Sequence, residues 1–359
     1  MRSILFHVPM QVTIGPWTLP LFGWGILLAA WALGGGVAIL RAARRQGFAA
    51  AAAGLGPSLA IVGAVVLWVA PALADAAGVP VRGYGVMLLA AAAAGTWLSV
   101  RRGRAAGFEA DTILGLGLWI FVAGLVGARL FFVIEYHAEF FRPGEPLAES
   151  LARAAFVPNG GLVVFGALPT AGLAAWWYAR RHGLPLLRLA DVIAPGLLLG
   201  LAIGRVGCFL NGCCYGGPTD LPWAVSFPPE SPPWLDQVQR GLLPEPAAGS
   251  APPWTLPVHP AQLYAAIDAA LLAAVACAVT PVFRREGAVF ALVLTLHPLS
   301  RILLEIIRVD EKPALGTPLS ISQLVSVVLL GLAGVLWWWV CRDPGTARPF
   351  DGGRPRASH

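Results

Sequence analysis

The sequence predicts an all-α, polytopic helical membrane protein with about nine transmembrane helices and an ordered loop region at the outer face. Of its 359 residues, 57% are hydrophobic and only 12% are charged, and the mean hydropathy is +0.71. In water-soluble domains, roughly half of the residues are apolar and about a quarter are charged. The composition therefore requires several hydrophobic spans rather than one soluble core.

Nine apolar runs account for the predicted helices, because a helix needs about 20 apolar residues to cross a bilayer. They cover residues 19–40, 55–73, 85–100, 113–133, 162–179, 192–210, 263–279, 288–307 and 319–341. Two long connections, residues 137–160 and 211–260, lie on one side, and the second contains Trp223, Trp234 and Trp254. Tryptophan favours the level of the lipid headgroups. We expect these loops to form an ordered cap, with a solvated linker as the alternative.

Arginines cluster in every second connection and in the tail. They are Arg41, Arg44, Arg45, Arg101, Arg102, Arg104, Arg180, Arg181, Arg188, Arg284, Arg285, Arg342, Arg348, Arg354 and Arg356. Loops rich in basic residues stay cytoplasmic, so an odd number of spans places the amino terminus outside and the carboxyl terminus inside. The formal net charge of +6 follows from this topology. No basic run alternates with a stacking surface of aromatics, so we expect no nucleic-acid partner.

The segment at residues 204–216, GRVGCFLNGCCYG, places Arg205 at the end of an apolar run. An arginine near the middle of a membrane costs roughly 2.5–3.5 kcal/mol, so it usually faces a partner, a water-filled cavity or an anionic ligand. The alternative is that Arg205 extends to the headgroups. The glycines of this segment, up to Gly216, increase the conformational freedom of the backbone around Asn211. Main-chain N–H groups there could bind an anion.

A glycine row precedes this segment. Gly196, Gly200 and Gly204 follow one another at a spacing of four, which aligns them on one face of a helix. Small residues at this spacing allow a second helix to approach closely. The pattern therefore predicts tight helix packing, which would keep Arg205 in a fixed position.

Two further motifs carry polar side chains on the same outer side. In the first, His259-Pro260-Ala261-Gln262-Leu263-Tyr264, the proline fits a helix start and places hydrogen-bonding groups in its first turn. In the second, Arg301, Glu305 and Arg308 form one stripe of a helix. A salt bridge between Glu305 and one arginine would leave the other guanidinium for a phosphate. A further buried arginine is Arg129.

The cysteines are too few for a disulfide scaffold and lack the paired spacing of a structural zinc site. The five are Cys208, Cys213, Cys214, Cys277 and Cys341. We therefore expect no metal. The first three lie next to Arg205, where they could pack, form a disulfide in an oxidising compartment, or carry an acyl or lipid group as a reactive thiolate.

In their order along the chain, these motifs resemble the prolipoprotein diacylglyceryl transferase family. Its members are bacterial inner-membrane enzymes that move diacylglyceryl from phosphatidylglycerol to a lipobox cysteine. The Gly-Arg and His-Pro-x-Gln-Leu-Tyr elements are the most specific. The similar elements are Tyr84-Gly85, Gly127-Ala128-Arg129-Leu130, Asn159-Gly160-Gly161-Leu162, Gly204-Arg205-Val206-Gly207, Asn211-Gly212, Tyr215-Gly216, His259-Pro260-Ala261-Gln262-Leu263-Tyr264, and Ser300-Arg301 with Glu305 and Arg308.

The resemblance implies a cofactor-free transferase of the bacterial inner (cytoplasmic) membrane, with phosphatidylglycerol and prolipoprotein lipobox peptides as its partners. Arg205 and Arg301 would bind the lipid phosphate while a substrate thiolate attacks the adjacent glyceryl carbon. The products would be a thioether-linked lipid and glycerol phosphate. The implied catalytic residues are Arg205, Arg301, His259 and Tyr84, and the implied substrate-binding residues are Asn211, Gly216, Arg129, Gln262, Tyr264, Glu305 and Arg308.

Three departures from the family pattern affect this interpretation. Phe165 stands where many members have a histidine proposed to assist proton transfer, so the general base is unassigned. Cys208 and Cys213 replace the usual asparagine and acidic residue, and Ala265 replaces another acidic residue. Because of these changes, two alternative functions remain open. The chain could be a related phospholipid-dependent transferase with another thiol acceptor, or a non-catalytic phospholipid-binding or transport homologue.

The resemblance also divides the chain. We expect an extra amino-terminal two-helix segment at residues 1–78, a diacylglyceryl transferase-like membrane domain at residues 79–345, and a basic cytoplasmic tail at residues 346–359. The segment at residues 14–23 itself resembles a family amino terminus, and Phe22-Gly23 echoes Tyr84-Gly85. A partial duplication of the amino-terminal part of the transferase-like domain would explain this similarity.

Overall fold

The computed structural model describes residues 4–14, 16–141, 144–155, 161, 163–244, 251–309 and 316–342. Helices dominate, as the sequence predicts. The elements are β1 (Ile4–Val8), β2 (Gln11–Ile14), β3 (Trp17–Pro20), α1 (Ile26–Gln46), α2 (Phe48–Ala64), a π-helical turn (Val65–Val69), α3 (Ala70–Ala72), β4 (Val79–Arg82), α4 (Gly83–Ala105), α5 (Ala110–Glu135), α6 (His137–Phe140), α7 (Leu147–Ala155), α8 (Val164–Arg181), α9 (Leu186–Asn211), α10 (Pro232–Gln239), α11 (Ala261–Val279), α12 (Ala288–Glu305) and α13 (Ile321–Arg342). The predicted tail at residues 346–359, with Asn159, Gly160 and Leu162, lies outside the described residues.

Within the described ranges, seven helices are long and apolar enough to cross a membrane. They lie in α1, α4, α5, α9, α11, α12 and α13, so the predicted polytopic architecture is confirmed but the count of nine is not. The run predicted at residues 55–73 falls in α2, which has 17 residues and continues into the π-helical turn. The run at residues 162–179 falls in α8, whose last turns contain tryptophans and arginines that lower its hydropathy.

The chain divides into two compact units, Met1–Val86 and Met87–His359. In the first unit, α1 packs along α2, and four short strands form two antiparallel pairs that the sequence interpretation did not include. Strand β1 pairs with β4, and β2 pairs with β3. Residues 11–20 alternate in the manner of a strand pair and contain Gly15-Pro16 between the two halves. The sequence pattern did not indicate these strands, because the short alternation is followed directly by a longer apolar run.

In the second unit, the long helices pack as neighbours, with α5 along α8, α9 along α11, and α12 along α13. A buried carboxylate fastens one end of this bundle. Asp191 accepts hydrogen bonds from the main-chain N–H groups of Gly287 and Phe290, at 2.7 and 2.8 Å, where α12 begins. A helix amino terminus favours a negative charge, so the buried Asp191 joins α9 to α12.

The opposite end of α9 continues into the ordered loop region, as predicted. Tyr215, Phe227 and Val258 form a small buried core beneath these loops. The main chains of Val225 and Val258 form reciprocal hydrogen bonds at 3.1 Å, and the Trp234 indole donates to the Pro253 carbonyl at 2.8 Å. Along the described residues, this connection is therefore a packed structure rather than a solvated linker.

The predicted close approach at the glycine row is confirmed at Gly196 and Gly200 but not at Gly204. A Cβ on Gly196 would overlap Ser99 Oγ of α4, and a Cβ on Gly200 would lie 3.3 Å from the Ala91 carbonyl oxygen. A Cβ on Gly204 would meet nothing within 4 Å. The contact between α4 and α9 thus ends one turn before Arg205.

We expect Gly196→Ala to lower the thermal unfolding midpoint of the purified protein by several degrees. The added methyl group must push α4 and α9 apart, and overpacking of this kind costs about 1–3 kcal/mol. Gly204→Ala is the matched control, because its methyl group has space and alanine favours a helix by about 1 kcal/mol over glycine. Equal midpoints for wild type and Gly196→Ala would contradict this account of the packing.

Candidate active site

Main-chain hydrogen bonds join three of the predicted motifs at one end of the bundle. The Gly216 N–H donates to the His259 carbonyl at 3.0 Å, and the His259 N–H donates back to the Gly217 carbonyl at 3.0 Å. Gly217 also donates to the Ile307 carbonyl at 2.9 Å, beside a bridge between Gly216 and Arg308. A Cβ on Gly216 would lie 2.6 Å from the Cβ of His259, so only glycine fits there.

Helix α12 ends at Glu305, so the prediction that Arg301, Glu305 and Arg308 share one helix is wrong for Arg308, which lies in the bridge to Gly216 beyond the helix. The three side chains still meet in an ion triad, which we define as Arg301, Glu305 and Arg308. The Glu305 carboxylate is 6% exposed and forms ion pairs with Arg301 and, at 3.5 Å, with Arg308. It also accepts a hydrogen bond from Ser320 Oγ at 2.8 Å, and Arg301 donates to Ser322 Oγ at 2.9 Å. Glu305 is therefore shared by both arginines rather than paired with one. The triad has a net positive charge.

Arg205 differs from the arginines of the triad in its surroundings. It lies on α9, half-buried, and its guanidinium makes no hydrogen bond or ion pair with any residue that the structure describes. Arg205 and Arg301 both act electrostatically on the His297 ring. Two guanidinium groups from different helices therefore act on one histidine near the carboxyl ends of α9 and α12.

The His-Pro motif supplies a polar group at the start of α11. The Tyr264 hydroxyl accepts a hydrogen bond from the Trp223 indole at 2.6 Å and lies 3.5 Å from His259 Nδ1. Gln262 is 1% exposed and donates to the Cys213 carbonyl at 2.8 Å. This contact favours a positioning role for Gln262 over the substrate binding expected from the sequence. His259 and Tyr264 are half-buried and available to a ligand.

Two other predicted site residues have different surroundings. Arg129 on α5 donates to the carbonyl oxygens of Ala154 at 2.7 Å, Gly161 at 2.9 Å and Arg153 at 3.2 Å. Its guanidinium thus fastens the connection between α7 and α8, which favours a structural role over phosphate binding. Tyr84 lies in the first turn of α4, within the amino-terminal unit, and is 41% exposed. Its catalytic role stays a prediction.

Three cysteines cluster where α9 ends. The Sγ atoms of Cys208, Cys213 and Cys214 all lie within 4.8 Å of one another as free thiols. Hydrogen bonds from the thiols of Cys208 and Cys214 lower the pKa of Cys213. Asn211, at the exposed end of α9, also hydrogen-bonds this thiol. Soft metal ions prefer thiolates, so these three side chains are the donors in the described part of the chain best suited to a metal.

Sequence reasoning missed His297 and Asp268. Asp268 on α11 accepts a hydrogen bond from Ser300 Oγ at 2.7 Å, and the same hydroxyl donates to the His297 carbonyl at 3.0 Å. His297 precedes Arg301 by four residues and so lies on the same face of α12. This spacing of four residues could have indicated His297 from the sequence. A single histidine in an apolar run, however, also fits an ordinary core position of a helix.

Comparison with known proteins adds an independent observation. The family described as prolipoprotein diacylglyceryl transferase matches residues 71–339. Similar proteins named phosphatidylglycerol–prolipoprotein diacylglyceryl transferase occur in several bacteria. The Rhodopirellula baltica protein is 38% identical over 259 residues, covering 68% of this chain and 50% of its own length. Those of Trichormus variabilis (30% over 285 residues) and Gloeobacter violaceus (32% over 276 residues) cover 76% of this chain and 91% and 93% of their own lengths.

We expect Glu305→Gln to destabilise the protein strongly. The substitution leaves the two buried guanidinium groups of the triad without a countercharge, and breaking a buried ion pair from one side costs about 3–5 kcal/mol. Ser320→Ala is the matched control, since it leaves the charges in place and removes two neutral hydrogen-bond contacts, to Glu305 and from the Gln323 N–H, at about 1 kcal/mol each. Thermal unfolding in detergent would measure both, and equal losses would refute the shared-charge account.

Proposed function

Because the chain belongs to the prolipoprotein diacylglyceryl transferase family, we propose that it transfers the diacylglyceryl group of phosphatidylglycerol to the cysteine thiol of a prolipoprotein at the site around Arg205 and Arg301. The observation that carries this proposal is the half-buried Arg205 guanidinium, which none of the described residues neutralises. A charge at this position in a membrane helix requires an anionic ligand or water, and a lipid phosphate is the anion that a membrane supplies.

In this proposal, Arg205 and the ion triad bind the phosphodiester from two sides. Arginine binds phosphate oxygens through parallel N–H groups, which orient the phosphate as well as attract it. Glu305 fixes the direction of Arg301, and Arg308 contributes positive charge from the same helix end. The phosphate would therefore lie at the outer ends of α9 and α12, at headgroup depth.

The reaction is a substitution at the glyceryl carbon that carries the phosphate. The thiolate sulfur forms a bond to this carbon, the carbon–oxygen bond breaks, and its electron pair leaves with glycerol phosphate. Negative charge grows on the departing phosphate as this happens. Guanidinium groups already in position stabilise that charge without reorganisation, which is electrostatic catalysis in a site with little water.

The remaining motif residues orient the substrates in this proposal. His259, Tyr264 and Asn211 present polar atoms to the glycerol headgroup or to the lipobox peptide, while Gln262 and Gly216 maintain the loop between them. Tyr84 retains its predicted catalytic role, and residues 79–345 form the transferase domain. Residues 1–78 remain the proposed additional segment.

The protein is a multi-pass membrane protein, and we place it in the bacterial inner membrane with the amino terminus outside and the carboxyl terminus in the cytoplasm. Basic residues occupy the last turns of α1, α4, α8 and α13, which supports a cytoplasmic position for these helix ends. The site, at the other end of α9, would then face the outer compartment. In this proposal, the lipobox peptide reaches the site from that side.

Arg205→Ala should lower the rate of adduct formation by about 10²–10³, the loss typical for removing one donor from a charge-stabilising site. Purified protein would be incubated with phosphatidylglycerol and a lipobox peptide, and the diacylglyceryl adduct measured by mass spectrometry. Arg180→Ala is the control, because Arg180 lies in the last turn of α8, over the Trp176 ring, at the basic helix end away from the proposed site. Wild-type protein that forms no adduct while still binding the lipid would refute the proposed function.

A further inference from the structure

A half-buried histidine on α12, the helix of Arg301, has one ring nitrogen that is buried and without a hydrogen-bond partner among the described residues. His297 Nδ1 is inaccessible to solvent and has no hydrogen-bond partner among the residues that the structure describes. A buried polar atom without a partner is unfavourable by about 1–3 kcal/mol, so such atoms usually have a functional explanation. His297 lies one helical turn before Arg301 on the same face of α12.

The surroundings of His297 come from three helices. The charged groups that act on its ring are Asp268 of α11, Arg205 of α9 and Arg301 of its own helix. Ser300 Oγ links Asp268 to the His297 carbonyl, through bonds of 2.7 and 3.0 Å. This bridge fixes the turn of α12 that carries the imidazole against α11. The ring is therefore carried by a fixed turn of α12, on the face that also carries Arg301 and within electrostatic reach of Arg205.

We propose that His297 is the catalytic residue that accepts the thiol proton of the incoming cysteine. This inference rests on the proposed function and assigns its general base. The histidine expected at residue 165 is phenylalanine in this chain, so that position offers no proton acceptor. His259, the other histidine near the site, has its Nδ1 directed at the Tyr264 hydroxyl. His297 differs from His259 in having a buried ring nitrogen without a hydrogen-bond partner among the described residues, on the helix that carries Arg301.

The proton that His297 accepts from the thiol is released again before the next reaction cycle. A cysteine thiol has a pKa of about 8.5, so most of it is protonated at neutral pH and a base is needed. His297 takes the proton, the sulfur forms its bond to the glyceryl carbon, and the carbon–oxygen bond breaks. The imidazolium then returns the proton to the departing glycerol phosphate or to water. The negative phosphodiester, once bound between Arg205 and Arg301, offsets their charges and favours the imidazolium.

His297→Gln tests the assignment, with His182→Gln as the matched control at the far end of α8. At pH 7 we expect His297→Gln to lower the rate of adduct formation by about 10²–10⁴, the usual contribution of a general base, and His182→Gln to leave it unchanged. The deficit of His297→Gln should shrink as the pH rises toward 9, because the substrate thiol then ionises without help. A deficit that is independent of pH would overturn the proposal.

A selenocysteine lipobox peptide separates a proton-accepting role from a structural one. Its selenol is ionised at neutral pH, so it needs no base, and His297→Gln should use it at nearly the wild-type rate. Equal loss with thiol and selenol peptides would show that the substitution damages the site itself, and would overturn the proposal. Wild-type activity in His297→Gln with the thiol peptide would also overturn it. Absence of adduct from the wild type with either peptide would instead refute the proposed function.

Discussion

Two largely buried arginines share a single carboxylate at the carboxyl end of α12, and the architecture of the site depends on this arrangement. Buried charges destabilise a protein unless they are paired and hydrogen-bonded. Glu305 satisfies Arg301 and Arg308 together and is itself held by Ser320 at the start of α13. The triad therefore fastens α12 to α13 and still retains a net positive charge. One group of residues provides both a rigid support and an attraction for anions.

The triad also organises the backbone around it. The Gly217 N–H donates to the Ile307 carbonyl, which connects the loop after α9 to the end of α12, and Gly216 and His259 connect that loop to α11. Gln262 adds a side-chain bond from α11 to the Cys213 carbonyl. Three helix ends are thus joined through short main-chain contacts, which only glycine at position 216 permits. The elements that form the site are distant in sequence, and main-chain hydrogen bonds between them hold the site together.

The helical architecture and the pair of Arg301 and Glu305 on α12 could be predicted because apolar run length and helical spacing are local properties. The position of Arg308 could not, because the helix ends at Glu305 and Arg308 pairs with the main chain of Gly216 instead. The strands near the amino terminus could not, because their short alternation adjoins a longer apolar run. The partners of Arg129 are carbonyl oxygens 24 to 32 residues away, and spacing along one helix cannot reveal them. His297 was missed for a similar reason, since its meaning depends on Asp268 and Arg205 from neighbouring helices.

The charge balance of the site explains why it would favour the transition state over the bound lipid. Phosphatidylglycerol presents a phosphodiester with a single negative charge, whereas the departing glycerol phosphate approaches two negative charges. Arg205, which none of the described residues neutralises, and the net positive triad together match the second state better than the first. Their attraction therefore grows as the carbon–oxygen bond breaks. Only interactions that are stronger in the transition state than in the bound substrate accelerate a reaction. The proposed transferase therefore needs more positive charge at its site than binding of the lipid alone requires.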